Sequence, residues 1–241
     1  MVMKDEIEYP IRINRYLYLT DVSSRREADR LIESGQIFIN GKKAVLGQKI
    51  EKGDRVELGK KAQKKVTSYV YYAVNKPRGI ESHNAQDYSE DIVTKLHLGK
   101  GVAVVGRLDK DSSGLILLSN DGRIVDKMLN PKYNHEKEYV VKVNKDIKEN
   151  FVKKMSNGVN IEGYITKPAK VKVIGEKVFR IILTEGKKHQ IRRMLAALGY
   201  TTTTLKRVRI MNIKLDSLRE GEYRHLSKIE KTKLLQKLGI I

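Results

Sequence analysis

Apolar residues recur at helical spacing in two short segments near the N-terminus. Ile13 and Leu17 lie four residues apart, so they share one face of a helix. A second stripe, at the i, i+3 and i+4 positions, is formed by Ala28, Leu31 and Ile32. Ser24 and Glu27 precede this stripe with the spacing of a helix-capping box, and Gly35 stands where a helix should end. The pattern predicts two short helices.

The residues that follow alternate between apolar and polar, as short β-strands do. The segment QIFIN is followed by Asn40-Gly41, a strong tight-turn signal, and then by the partner segment KKAV. A further strand, RVEL, completes a small module over residues 10–66, which a tail over residues 1–9 precedes. We expect the lysine-rich segment GKKAQKKVTS, at a domain boundary within residues 60–70, to be a linker or the edge of a final strand.

The remainder of the chain, residues 67–241, is rich in strand patterns. Apolar runs such as VAVV and LILL predict buried strands, and EKEYVVKV, YITKPAKVKVI, KVFRIILTEG and LKRVRIMNIKL predict more. Helical periodicity appears in DGRIVDKMLN, KDIKENFVKKMSNG, KKHQIRRMLAALG and KIEKTKLLQKL. The strands run together instead of alternating regularly with helices. The predicted fold class is therefore α+β, with a mainly antiparallel sheet in this larger domain.

The charge of the chain narrows the class of partner. The 241 residues include 49 Lys+Arg and 29 Asp+Glu, which gives a formal net charge of +20. This excess indicates a polyanionic partner such as nucleic acid, although a generally lysine-rich surface would give the same total. The sequence contains no cysteine, which excludes disulfides and thiol catalysis. Apolar runs stay far below the roughly 18 residues of a membrane span, so we expect a cytoplasmic protein without membrane contact.

The loop between VAVV and LILL, with the sequence GRLDKDSSG, carries the most informative polar residues. It places the carboxylate of Asp109 between two buried strands, beside Arg107 and Asp111. A calcium-binding loop is disfavoured because the twelfth position is Asn120 rather than Glu, and because strands rather than helices flank the loop. A simple turn, in which the aspartates bond backbone amides, stays open from this loop alone.

The helix predicted at KKHQIRRMLAALG brings an arginine toward the core. Its apolar face is formed by Ile191, Met194, Leu195 and Leu198. Arg192 falls at the margin of that face, whereas Arg193 points well away from it. A marginal arginine can reach a partly buried carboxylate, keep it ionised and fix its direction.

Several motifs occur in one order along the chain: NKPRG, GRLDKDSSGLILLSNDG, HEKEYVV and EGKKHQIRRMLAALG. In them the chain resembles the bacterial rRNA pseudouridine synthases of the RsuA/RluB/RluE/RluF family. HEKEY, KRVRIMN and GEYRHL are most similar to the RluF group. The run from RINRYL through SSRREADRLI to GQIFING resembles the S4 RNA-binding module. One departure is the segment IESHNAQ after KPRG, which lacks the threonines common in relatives.

The resemblance implies an isomerase that converts a specific uridine of 23S rRNA to pseudouridine, with tRNA left open as a second substrate. Asp109 would attack the ribose or the uracil, after which the freed uracil rotates and rejoins through carbon five. Tyr139 would stack on the uracil and help to remove the carbon-five proton, although the strand pattern alone favours a core tyrosine. Arg192 would pair with the aspartate. Arg107 would hold the RNA open, and Leu205 would pack near the tyrosine.

The same resemblance implies RNA contacts in both domains, a monomer, and no cofactor or metal, because isomerisation conserves every atom. In the N-terminal module the cations expected at phosphates are Arg12, Arg15, Arg25, Arg26, Lys42 and Lys43. In the larger domain they are Lys187, Lys188, Arg193, Lys206, Arg207 and Arg209. A solvated charged face is the alternative for the first set. A non-catalytic RNA-binding protein is the alternative function, but a pure binder has no need of a charge-paired carboxylate. A glycoside hydrolase would need a second catalytic acid.

Overall fold

A computed structural model describes residues 7–20, 22–66, 69–82, 91–98 and 101–241, the side chains of residues 64–66 excepted. Most of the expected N-terminal tail, the boundary residues 67–68 and residues 83–86 of the segment IESHNAQ lie outside the described residues. Both domains predicted from the sequence are nevertheless seen almost in full.

The N-terminal module combines three helices with two small antiparallel sheets within the described residues. Its elements are β1 (Ile11–Arg12), α1 (Ile13–Leu19), α2 (Arg25–Glu33), β2 (Ile37–Ile39), β3 (Lys42–Lys43), β4 (Lys49–Ile50), β5 (Val56–Leu58) and α3 (Lys60–Val66). Strand β1 pairs with β4, and β2 lies between β3 and β5. Both predicted apolar stripes are buried in one core. The Ser24 hydroxyl accepts a hydrogen bond from the Glu27 amide at 3.3 Å, which confirms the predicted helix cap.

Two predictions about the ends of this module are wrong. The lysine-rich segment forms helix α3, neither a linker nor a strand edge, because Lys, Gln and Ala are strong helix formers and Ala62 is fully buried in the core. At the other end, Ile7 is buried in the same core and Tyr9 packs against it. Residues 7–9 therefore belong to the folded module and not to a tail, because their apolar side chains gain by leaving water.

The larger domain is built on one mixed sheet with helices on both faces. Its first elements are β6 (Tyr71–Lys76), α4 (Ile92–Leu96), β7 (Ala103–Val105), β8 (Ser113–Ser119), α5 (Arg123–Leu129), β9 (Lys137–Val143), α6 (Phe151–Ser156), β10 (Asn160–Ile161) and β11 (Tyr164–Ile165). The remaining ones are β12 (Lys170–Gly175), β13 (Val178–Leu183), α7 (Gln190–Ala197), β14 (Thr202–Ile210), β15 (Ile213–Lys214), β16 (Tyr223–His225) and α8 (Lys228–Lys237). The sequence patterns missed α4 and β16.

The strands of the large sheet follow the order β12-β13-β9-β14-β8-β6-β16, with β15 beside β14 and β7 beside β8. Only the β14–β8 pair is parallel among the described strands of this sheet. The predicted α+β class with a mainly antiparallel sheet is confirmed. Helices and strands do not alternate regularly, so neighbouring strands are mostly antiparallel and need no helical crossover.

Strand alternation gives the sheet two faces with different covers. We call the front face the one that carries Leu205 and Arg207 of β14, and the back face the one that carries Lys206. Helices α6 and α7 cover the front face over β9 and β13, and α4 covers it over β6 and β8. Helices α5 and α8 cover the back face near β6 and β8. The middle of the front face lies between these two groups of helices.

The two domains meet at the starts of two helices. Gly122, which precedes α5, packs so closely against Ser24 that a Cβ at residue 122 would overlap the serine side chain. Nearby, the Tyr69 hydroxyl donates to the carbonyl of Val22 at 3.5 Å. A cleft of about 830 Å³ opens beside this contact, lined from one side by Arg25 and from the other by strand β7. Within the described parts of the chain, no helix is long and apolar enough to cross a membrane.

Candidate active site

The Asp109 carboxylate lies at the mouth of the front face, in the loop between β7 and β8. The loop turns tightly, with the Ser112 amide donating to the Asp109 carbonyl at 3.0 Å. The side chain of Asp109 is 37% exposed, and its Oδ1 is 3.6 Å from Nε2 of His189. His189 is the residue that caps the start of α7. The carboxylate is thus open on one side to an incoming substrate and faces the His189 imidazole on the other.

A buried lysine fixes the loop from below. Lys76, at the end of β6, is fully buried, and its ammonium donates to the carbonyls of Pro77 at 2.8 Å, Ile80 at 2.7 Å and Lys110 at 3.4 Å. Burial lowers the pKa of Lys76 to about 8, although the negative charges of Asp109 and Asp111 act in the opposite direction. The NKPRG segment therefore ties the loop to the end of β6.

Ser82 and Arg192 hold the loop from two further sides. The Ser82 hydroxyl bonds both the amide and the carbonyl of Leu108. The Arg192 guanidinium donates from one nitrogen to the carbonyl of Asp111 at 3.1 Å and to the Ser112 hydroxyl at 3.3 Å. Together with Lys76, these contacts fix the main chain on both sides of Asp109.

The predicted direct pairing of Arg192 with Asp109 is therefore not formed in this structure. Ile191 and Leu195 are buried and Arg192 is half-buried at the margin of that face, as predicted. Arg193 does not point well away as predicted, because it is half-buried too and donates to the carbonyl of Ile161 at 3.2 Å. Helix α7 brings the Arg192 guanidinium to the main chain at residues 111–112. Arg192 acts on the loop that carries the carboxylate and not on the carboxylate itself.

Tyr139 lies on the front face at the centre of the sheet. It stands in register with Arg207 of β14 on one side and with Ile181 of β13 on the other. The tyrosine is half-buried and packs against the core cluster that includes the buried Leu205. An aromatic ring that is half covered and half open is suited to stacking on a flat heterocycle.

Arg207, expected at RNA phosphates, is buried instead, at 4% exposure. Its Nε donates to the carbonyl of Leu115 at 2.7 Å, and Nη1 donates to the carbonyl of Arg107 at 3.4 Å. The prediction failed because strand alternation turns Arg207 toward the front-face core while its neighbour Lys206 faces the other way. Gly114 of the neighbouring strand β8 is in register with Arg207, and a Cβ at Gly114 would overlap the main chain of Arg207. This position in the β8–β14 pair therefore requires glycine.

Comparison with known proteins decides the family. Residues 70–197 match the family of RNA pseudouridylate synthases, and residues 11–56 match the S4 domain. The chain belongs to the RNA pseudouridine synthase family. It is an isomerase that acts on RNA.

Relatives of the synthase are similar over most of its length. It is 43% identical to the dual-specificity RNA pseudouridine synthase RluF of Escherichia coli K12 over 219 residues, which cover 90% of this chain and 76% of that protein. It is 33% identical to the ribosomal large subunit pseudouridine synthase B of Bacillus subtilis, over 92% of this chain and 95% of the relative. A crystal structure of a pseudouridylate synthase is similar with a TM-score of 0.68 at 29% identity, covering 93% of this chain and 99% of that one.

The other cations predicted in the catalytic domain of the synthase differ in exposure and in whether they form ion pairs. Arg193 pairs with Glu162 at 2.7 Å, and Arg209 pairs with Glu136 at 3.0 Å and with Glu138 at 2.8 Å. Hydrogen bonds from Lys170, Arg209 and Arg180 hold the pKa of Glu136 and of Glu138 below the ordinary value, against the effect of burial. The exposed ones are Arg107, Lys187 and Lys188.

The sequence analysis missed three side chains that shape this site. Lys76, Ser82 and His189 touch the loop or its carboxylate, and none was chosen as a site residue. Lys76 ends a run of strand positions, but its contact with the Lys110 carbonyl joins two distant segments. The contacts of Ser82 and His189 depend on long-range packing, which the local pattern does not reveal. In the part of the chain that the structure describes, there is no cluster of metal-ligating side chains.

Proposed function

We propose that this synthase converts one uridine of 23S rRNA to pseudouridine, with Asp109 as the attacking group. The observation that carries the proposal is the partly exposed Asp109 carboxylate on a loop held at Leu108, Lys110, Asp111 and Ser112. A catalytic group held by such contacts loses little entropy on reaching its reactive position. The name of the B. subtilis relative supports large-subunit rRNA as the substrate, and the dual specificity in the name of the E. coli relative leaves room for a second RNA class such as tRNA.

In the proposed reaction the carboxylate of Asp109 forms a bond to the ribose or to the uracil. The glycosidic bond between the sugar and the uracil nitrogen breaks, the uracil rotates, and a carbon–carbon bond forms through carbon five. If the carboxylate is bonded to the ribose, its bond to the sugar breaks as the carbon–carbon bond forms; if it is bonded to the uracil, it leaves after that bond has formed. In both cases the carbon-five proton leaves with the help of Tyr139, and the uracil nitrogen released from the sugar takes up a proton. The product is an isomer of the substrate, so the overall reaction consumes no oxidant and no added group.

The target uridine must leave the RNA stack before it can reach Asp109. Unstacking costs a few kcal/mol, which stacking on Tyr139 and phosphate contacts offset. Leu205 supports the tyrosine from the core, and the exposed side chain of Arg107 is available to hold the RNA open. Arg192 is a positioning residue in this proposal, because it contacts the loop and not the carboxylate.

In this proposal each of the two domains has its own role. The S4 module, over residues 7–66, docks the RNA, and the catalytic domain begins near residue 67. We infer a monomer that works in the cytoplasm, where ribosomal RNA is made in bacteria. Mapping pseudouridine in rRNA and tRNA from a strain that lacks the gene, against its parent, identifies the modified uridine. A 23S site that stays unmodified only in the mutant supports the proposal, and an unchanged 23S rRNA contradicts it.

Replacement of Asp109 tests the central role. Asp109→Asn should abolish isomerisation because an amide is not a nucleophile, while RNA affinity should change by no more than a few-fold because cations elsewhere supply the binding. Tritium release from RNA labelled at carbon five of uridine measures turnover, and filter binding measures affinity. Asp111→Asn, two residues away on the same loop, is the matched control and should keep turnover. Appreciable tritium release by Asp109→Asn would contradict the assignment.

Arg192 is expected to act through the loop geometry. Arg192→Ala should lower kcat strongly, with little change in RNA affinity, because the main chain at Asp111 and the Ser112 hydroxyl lose their donor. Arg192→Lys should restore part of kcat, since a single ammonium can still reach one of the two acceptors. Single-turnover rates at saturating RNA make the comparison. Equal rates for the alanine and lysine variants would show that the contact with the loop is irrelevant.

A further inference from the structure

Strand β14 carries charged side chains to both faces of the large sheet. Arg207 faces the front, where it lies opposite Tyr139, and the adjacent Lys206 faces the back. One row of register partners runs across four neighbouring strands of the back face. From β14 through β9 and β13 to β12, its residues are Lys206, Val140, Arg180 and Lys172. Three of the four side chains in this row across the back face are cationic.

No described helix covers the back face over strands β12, β13 and β9. The helices on that face, α5 and α8, pack against residues of β6, β8 and the far end of β14. Val140, Ile182 and Val208 are only half-buried and belong to none of the hydrophobic core clusters. This half of the back face is therefore open to solvent.

The open half of the back face is strongly positive. Its cations are Lys142, Lys170, Lys172, Arg180, Lys206 and Arg209. The carboxylates Glu136 and Glu138 pair with three of them, namely Lys170, Arg180 and Arg209. Within the described residues the other three lysines form no ion pair. They lie on three different strands: Lys142 of β9 and Lys206 of β14 are diagonal neighbours, and Lys172 of β12 lies at the far end of the row that contains Lys206.

We propose that the open half of the back face, defined by Lys142, Lys172 and Lys206, is a second RNA-binding surface of the synthase. It contacts the sugar–phosphate backbone, because its free side chains are lysine point charges and no aromatic side chain for stacking bases is found among its described positions. Its occupant is a segment of the folded RNA other than the one that enters the active site, because Asp109 and Tyr139 lie on the opposite face. The proposal rests on the proposed function in that the RNA is large-subunit rRNA, and its test uses the uridine that the mapping experiment identifies.

The test compares two charge-matched double variants. Lys142→Gln/Lys172→Gln alters the back face, and Lys153→Gln/Lys154→Gln alters two exposed lysines of α6, which lies on the front side of the same sheet. Affinity is measured against salt concentration with two naked RNAs: a full-length large-subunit rRNA transcript, and the single hairpin of that RNA that carries the modified uridine.

With the full-length transcript, the back-face variant should flatten the dependence of log affinity on log salt by up to about two units, and adding Lys206→Gln should remove about one more. With the hairpin, the affinity and the rate of isomerisation of the back-face variant should match those of the wild type. The α6 variant should match the wild type with both RNAs.

Three results would overturn the proposal. An unchanged salt dependence with full-length rRNA would show that the back face does not touch RNA. An equal loss in both double variants would show that only total charge matters. Wild-type binding of naked rRNA together with weakened binding to ribosomal particles that contain proteins would assign the surface to a protein partner. If the wild type itself fails to isomerise the hairpin, the proposed function is contradicted. That result is independent of the salt dependence of binding, which alone tests the back face.

Discussion

The two domains of the synthase use their cations differently. In the S4 module all six cations predicted to meet RNA are exposed, and none of them forms an ion pair with another described residue. In the catalytic domain, Arg207 is buried, and Arg193 and Arg209 are paired with glutamates. Helix starts and hairpin tips project from a fold, whereas a strand that crosses a sheet turns every second side chain inward. A positive charge in the sequence is thus a better guide to an exposed, unpaired cation in the small module than in the large sheet.

The largest effect expected from the contrast between the packed sheet and the open small module concerns one glycine of positive φ in each domain. Gly114→Ala should lower the free energy of unfolding by about 3 kcal/mol or more, because left-handed strain adds to overlap with the main chain of Arg207. Gly41→Ala, in the β2–β3 turn of the S4 module, has open space around its Cβ and should cost only about 1–2 kcal/mol of strain. Urea unfolding followed by circular dichroism compares them. Equal losses of unfolding free energy would mean that the β8–β14 pair tolerates a side chain at residue 114.

The next effect contrasts a buried lysine with an exposed one. Between pH 8 and the ordinary lysine value of 10.5, the unfolded chain binds a proton at residue 76 that the folded chain has released. The stability of the wild type relative to Lys76→Met should therefore rise with pH in this window, by up to about 1.4 kcal/mol per pH unit. The exposed Lys42 supplies the control, since Lys42→Met should show no such rise. A flat difference for Lys76→Met would contradict the buried, readily deprotonated ammonium.

The smallest effect concerns the exposed arginines at the start of α2. Arg25→Gln/Arg26→Gln should weaken RNA binding and flatten its salt dependence by up to about two units, because each arginine is free to contact a phosphate. Arg30 and Arg55 lie in the same module but are paired with Glu27 and Glu57, so their double Gln variant should change the slope less. Filter binding across a salt series measures both. If both doubles give the same slope, exposure of an unpaired cation does not identify an RNA contact.

The sequence predicted the elements whose signals are local. The Ser24 cap, the turn at Asn40-Gly41 and the apolar stripe of α7 each depend on residues within one or two turns of chain. Elements that exist only through distant partners were missed. Strand β16 has three residues and is defined by its pairing of Tyr223 with Val74, about 150 positions away along the chain. Helix α4 has only five residues, too few for a helical period to be recognised.

The same distinction explains the outcome at the site. Motifs indicated Asp109 and Tyr139, and the structure places both on the front face. The partner of Arg192 depends on where α7 crosses the loop, which is a matter of tertiary packing and not of spacing. Burial of Lys76 could not be read from its sequence neighbours, because the carbonyl of Lys110 that it bonds belongs to another segment.

The contact between Gly122 and Ser24 has a consequence for how the synthase selects RNA. Two RNA-binding bodies that are docked together are not independent modules on a flexible tether. Once one body has bound, the other meets its RNA segment at an effective concentration fixed by the docked geometry. A wedge such as Gly122→Val would replace that fixed distance with a range of distances, and the gain from linked binding would fall for every RNA. If the S4 module and the catalytic domain each bind a segment of the same RNA, the close contact at Gly122 makes the spacing between those segments a criterion of recognition.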